Sequence, residues 1–182
     1  GTFNAAAGTF TPAVGATTST FEYTVTGAVP CTIDSSIATI TINPQPTAGT
    51  DGGTVVCETS TTVINLFSLI TGEQAGGVWT RTGTGTGGTF DAIAGTFTPA
   101  IAATTSTFTY TVSGVAPCTT DSSIATITIN PQPTAGTDGG TIVCETSTTA
   151  IDLFSLITGE QAGGVWTRTG PGTGGTFDAI TG

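Results

Sequence analysis

Apolar and polar residues alternate in short runs along much of the chain. The clearest run is Phe108-Thr109-Tyr110-Thr111-Val112. A period of two sends successive side chains to opposite faces of a strand. The run therefore predicts a half-buried strand with Phe108, Tyr110 and Val112 inward. An earlier copy keeps Phe21, Tyr23 and Val25 but has Glu22 where Thr109 stands, and a carboxylate marks the outward face. The stretch Ile124–Ile129 alternates in the same way, with Ala125, Ile127 and Ile129 inward. Shorter runs at 54–57, 61–67, 78–82, 88–90 and 95–97 read as further strands, and Gly or Asp bounds those at 54–57, 78–82 and 88–90. Only 66–71 suits a single helical turn. Trp79 lies on the 78–82 run, and its size marks it as core together with Phe108, Tyr110 and Val112.

The pattern is copied. Gly1-Thr2-Phe3 returns at 88–90 and again at 175–177, Cys31 returns as Cys118, and Cys57 as Cys144, a period of 87 residues. That unit is too long for the common solenoid repeats and has the size of one immunoglobulin-like sandwich, in which a central strand carries a buried Trp. The expected fold class is all-β: tandem immunoglobulin-like antiparallel β-sandwiches of about seven strands each, strung as beads. The segment Asn43-Pro44-Gln45-Pro46 recurs from Asn130, and proline there ends a strand and stiffens a linker. This frames one complete repeat at 45–131. Residues 1–44 read as the C-terminal half of the preceding repeat, and 132–182 as the N-terminal half of the next. The first half would carry strands at 21–25 and 37–42, the second at 149–154 and 165–169. Neither half buries its apolar face alone, so the tail of one copy is expected to complete the sandwich begun by the head of the next.

Composition narrows the function. The chain has 12 acidic residues, 2 cationic ones and no histidine, for a net charge of −10. Phosphate binding needs clustered Lys or Arg, so nucleic acid is excluded as a partner, and an anionic membrane surface is disfavoured. No run approaches the ~20 apolar residues of a membrane-inserting helix. There is no methionine and no charged segment ahead of an apolar stretch, which suggests the interior of a longer precursor. Serine has no ordinary base without His or Lys, and the carboxylates are scattered, so the chain is read as having no catalytic residues. Lysine-dependent isopeptide crosslinks are likewise excluded. The cysteines lack a CxxC spacing and histidine neighbours, so no metal and no cofactor is expected. Asp51 stands beside Gly52 and Asp121 beside Ser122, and these two and Asp91 read as turn caps rather than calcium ligands. The line Thr82, Thr84, Thr86 reads as a solvated face rather than an ice-binding array, since Pro171 interrupts it in the next copy.

Three stretches carry a resemblance: Pro46-Thr47-Ala48-Gly49-Thr50-Asp51-Gly52 leading to Cys57, Gly76-Gly77-Val78-Trp79, and Phe108 to Gly114 leading to Cys118. Together they resemble the immunoglobulin-like repeats of giant surface adhesins of gliding Bacteroidetes bacteria. The resemblance implies export, by the type IX route, and extracellular display at the cell surface. It implies no catalytic residues. In an exported protein, two cysteines per repeat read as a disulfide. The pair is either Cys57–Cys118 within a repeat or Cys31–Cys57 across a junction. The strand after Cys118 runs ~30 Å toward the next bead, which sets Cys118 and Cys144 apart and favours Cys57–Cys118. The expected function is a structural stalk repeat whose partners are neighbouring repeats of the same fibre. The alternative is a module whose loops grip carbohydrate or another cell surface.

Overall fold

The computed structural model describes residues 1–179. The chain forms two compact units, Gly1–Asn130 and Pro131–Gly182. The first carries, in chain order, strands β1 (Thr2–Asn4), β2 (Thr9–Thr11), β3 (Ser19–Val25), β4 (Asp34–Ile40), β5 (Gly52–Cys57) and β6 (Ile64–Asn65). They are followed by β7 (Val78–Arg81), β8 (Thr89–Asp91), β9 (Thr96–Thr98), β10 (Ser106–Val112) and β11 (Asp121–Asn130). Two single 3-10 turns, Leu66–Ser68 and Phe154–Leu156, are the helical elements among the described residues. The fold is all-β.

The main core lies between two sheets. One has the order β5-β11-β10-β7, the other β6-β9-β8. Alternation along β10 buries Ser106, Phe108, Tyr110 and Val112 and leaves the intervening threonines half-exposed. Antiparallel register sets Tyr110 beside Trp79 of β7 and beside Ser123 of β11. Ala125 and Ile127 continue that face of β11. Phe97 from the other sheet and Leu66, Ile70 and Ala48 from the connections close the same cluster. Each large apolar side chain so buried contributes roughly 1.5–3 kcal/mol.

Three features depart from the expectations drawn from the sequence. First, the sheets are not wholly antiparallel: β5 runs parallel to β11, with Gly52 opposite Ala125 and Cys57 opposite Asn130. Parallel neighbours need a long connection, and the rest of the repeat lies between these two strands. Second, the strand expected over 61–67 shrinks to Ile64–Asn65. The Asn65 side chain accepts a hydrogen bond from the Phe67 backbone N–H, and the Ser68 hydroxyl donates to the Asn65 carbonyl. These local bonds favour a turn over a ladder. Third, the strands expected at 149–154 and 165–169 are not formed; a 3-10 turn stands at Phe154–Leu156 instead. In the 45–130 copy the matching strand β7 is held by β10. Without such a neighbour the 165–169 segment has no ladder to join.

The copies nonetheless share local structure. A Thr50–Thr71 bridge in one is matched by a Thr137–Thr158 bridge in the other. Residues 1–40 form two separate hairpins, β1–β2 and β3–β4, with the β3–β4 register matching that of β10–β11.

Candidate functional site

The first candidate is the aromatic centre. Trp79 is 2% exposed, Phe108 0%, Tyr110 1% and Val112 7%, all in one cluster. Phe67 meets Trp79 edge-on at 5.5 Å and Tyr110 at 5.3 Å, and Trp79 meets Tyr110 at 5.1 Å. Phe108 packs between Phe90 and Phe97, with ring centroids 4.9 and 5.0 Å away. Such tilted and edge-on contacts suit the ring quadrupoles. The Arg81 guanidinium lies over Phe97 at 5.2 Å and donates to Ser106 Oγ and to the Gly87 carbonyl. A cation over a ring face is a packing element here, and nothing in the spacing of two isolated arginines announced it.

Tyr110 also carries a polar link. Its hydroxyl donates to the Gln74 carbonyl at 2.7 Å and accepts from the Gly77 N–H at 2.9 Å. This ties β10 to the loop before β7. Tyr110→Phe keeps the ring and leaves both loop groups unmet, so it should lower stability by about 1–3 kcal/mol. Urea denaturation of the two forms checks this; equal midpoints would mean that the loop finds other partners.

The second candidate is the junction between the Pro-rich linker and the β10–β11 loop. Asn43 Nδ2 donates to the Ala116 carbonyl at 2.8 Å. Gln45 Nε2 donates to the Thr119 carbonyl at 3.1 Å. Cys118 Sγ donates to the Asn43 carbonyl at 3.2 Å. Further along, the Ala48 N–H donates to Asp121 Oδ2, and the buried Ser123 hydroxyl donates to the Ala48 carbonyl. Gln74 clamps Thr47 from both sides, its side chain accepting from the Thr47 N–H and its own N–H donating to the Thr47 carbonyl. Gln161 and Thr134 repeat that clamp in the second unit. The amide residues at these positions recur in step with the repeat, as Asn43 and Asn130, Gln45 and Gln132, Gln74 and Gln161. That recurrence was the available signal, but in near-identical copies it does not set them apart from any other residue.

The cysteines are not brought together as expected. No disulfide is seen among them. Cys57 ends β5 opposite Asn130, the last residue of β11, whereas Cys118 precedes the first residue of β11 by a short loop. A strand of 10 residues lies between. At ~3.3 Å per residue that is roughly 30 Å, far beyond the reach of a disulfide. The length of β11 does separate Cys118 from the far end of the repeat, but parallel pairing carries Cys57 to that end as well. Hydrogen bonds from Thr59, first its hydroxyl at 3.3 Å and then its backbone N–H, hold the Cys57 thiol below the usual range. Thr146 does the same for Cys144.

The aspartates bind backbone. Asp91 caps its turn by accepting from Ile93 and Ala94, Asp51 accepts from Ile124, and Asp121 from Ala48. Among the described residues no three His, Cys, Asp or Glu side chains gather as a metal site requires. Thr82 and Thr86 are exposed and pair with Thr109 and Thr104 across the sheet edge. Among the described residues no helix is long and apolar enough to cross a membrane. No family model, no curated protein and no solved structure matches the chain.

Proposed function

We propose that this chain is a structural stalk segment of an extracellular surface adhesin or filament, built from tandem immunoglobulin-like repeats of about seven strands. Its role is reach and mechanical stability, without catalysis. Its main partners are the neighbouring repeats of the same fibre. The junction carries the reading. The linker that leaves one sequence copy is fastened by Asn43, Gln45 and Cys118 to the β10–β11 loop of the next. A tether of short proline-stiffened chain with side-chain bonds on both sides limits bending between beads. The aromatic residues support the same reading. In the 45–130 copy they are spent on the core rather than offered to a ligand.

An array carrying Asn43→Ala and Gln45→Ala, repeated at the equivalent junctions, tests this. Electron micrographs should show beads of unchanged size joined by visibly more flexible links, while the melting temperature of each bead stays within a few degrees of the parent. Equally straight arrays would show that these bonds do not set the stiffness of the link. A parent array that shows no periodic beads would defeat the stalk reading itself.

A further inference from the structure

Cys118 and Cys57 occupy opposite ends of one repeat, and the repeat symmetry turns this into a statement about neighbours. Asn43 and Asn130 are the same position in consecutive copies. At Asn130 the structure shows what lies beside that position within its own repeat: Cys57 is its register partner, and the Glu58 N–H donates to the Asn130 carbonyl at 2.8 Å. Neighbouring strands lie ~4.8 Å apart, so Cys57 is one strand spacing from Asn130. At Asn43 the structure shows what lies beside the position from the following repeat: Cys118 Sγ donates to the Asn43 carbonyl at 3.2 Å. Placed on one junction, the two observations put both thiols around a single asparagine. A carbonyl oxygen has two lone pairs, enough for the Glu58-type N–H and, while the cysteines are reduced, the Cys118-type thiol.

We infer that consecutive repeats are joined by a disulfide between the Cys57-type cysteine of one repeat and the Cys118-type cysteine of the next. This rests on the stalk reading, because it requires a following repeat. It differs from pairing Cys57 with Cys118 inside a repeat, and from pairing Cys31 with Cys57 or Cys118 with Cys144. Those alternatives join cysteines at ends of repeats that do not meet. Each repeat would then contribute one cysteine to each of its two junctions, and a continuous array would be bridged at every link.

The oxidant is a small or protein disulfide outside the cell. The Cys57 thiolate, favoured by its Thr59 hydrogen bonds, attacks that disulfide, forms a mixed disulfide and releases one thiolate. The Cys118-type thiolate of the next repeat attacks the Cys57 sulfur and releases the second. Two protein S–H bonds are lost and one S–S bond is gained, while the oxidant gains two electrons and two protons as two thiols.

Exported fibres digested without reductant, in the presence of an alkylating agent, test the inference. The sequences around Cys31 and Cys118 differ, as do those around Cys57 and Cys144, so peptide masses identify the partners. The expected result is each Cys57-type peptide joined to the Cys118-type peptide of the following repeat, with alkylation of both lost. In an array carrying Cys57→Ser, the newly alkylated thiol should be that of the following repeat, with Cys118 still bridged. A Cys57–Cys118 peptide from within one repeat overturns the inference, and so does full alkylation of the cysteines in fibres that are visibly beaded. Fibres without beads would defeat the stalk reading instead, whatever their cysteines do.

Discussion

Trp79→Ala should lower the unfolding free energy of the 45–130 two-sheet core by about 3–5 kcal/mol, the cost of removing a large buried ring and leaving a cavity. The size of the effect follows from position. Trp79 is 2% exposed, touches Phe67 and Tyr110, and stands in register with Tyr110 on the neighbouring strand. Its neighbours are strand and turn residues that cannot collapse into the space without breaking the β7–β10 ladder. The equivalent Trp166 is the internal comparison. It keeps its edge-on contact with Phe154, at 5.5 Å, but is only half-buried and borders an open hollow of about 560 Å³. Trp166→Ala should therefore cost clearly less than Trp79→Ala. Guanidinium denaturation followed by far-ultraviolet circular dichroism measures both. Equal costs at the two positions would show that Trp79 gains nothing from the Tyr110 side of its pocket. A Trp79→Ala form that melts like the parent but loses adhesion would make the ring a ligand contact rather than core.

Gly52→Ala is the second large effect, and it acts through backbone. An added methyl at Gly52 would run into the Leu69 carbonyl, and Gly53 is similarly confined by the Thr126 carbonyl. Neither obstacle is a flexible side chain. β5 would have to withdraw from β11, breaking parallel pairs that begin at Gly52–Ala125. The expected loss is about 1–3 kcal/mol, the range for overpacking, with faster hydrogen exchange at Val55 and Val56. Gly140→Ala is the control, since an added methyl there meets nothing within 4 Å, and it should change stability by no more than about 0.5 kcal/mol. Unaltered exchange in Gly52→Ala would mean that the 3-10 turn at Leu66–Ser68 shifts aside at little cost. The same glycine recurs at Gly139, where a methyl would meet the Leu156 carbonyl. The close approach of chain to turn is thus a property of the repeat.

What the sequence by itself determined is local and periodic. The alternation over 108–112 determined which face of β10 is buried, because a strand turns by half a revolution per residue whatever surrounds it. The 87-residue recurrence determined that the same turn, threonine bridge and glutamine clamp appear twice. The tertiary structure decided everything that depends on a partner distant in sequence. Tyr23 and Tyr110 sit in nearly the same local sequence, yet Tyr110 is 1% exposed and Tyr23 74%. One has β7 beside it and Trp79 against its ring; the other has only the β3–β4 hairpin. Val78–Arg81 forms a strand and 165–168 does not, for the same reason. The direction of β5 belongs to this class, and the positions of Cys57 and Cys118 depend on it. A side-chain period specifies faces, but it carries no information on whether two strands run parallel or antiparallel. That choice is made by long-range hydrogen bonding and close backbone packing at Gly52 and Gly53, and it sends the two cysteines to opposite ends of the repeat.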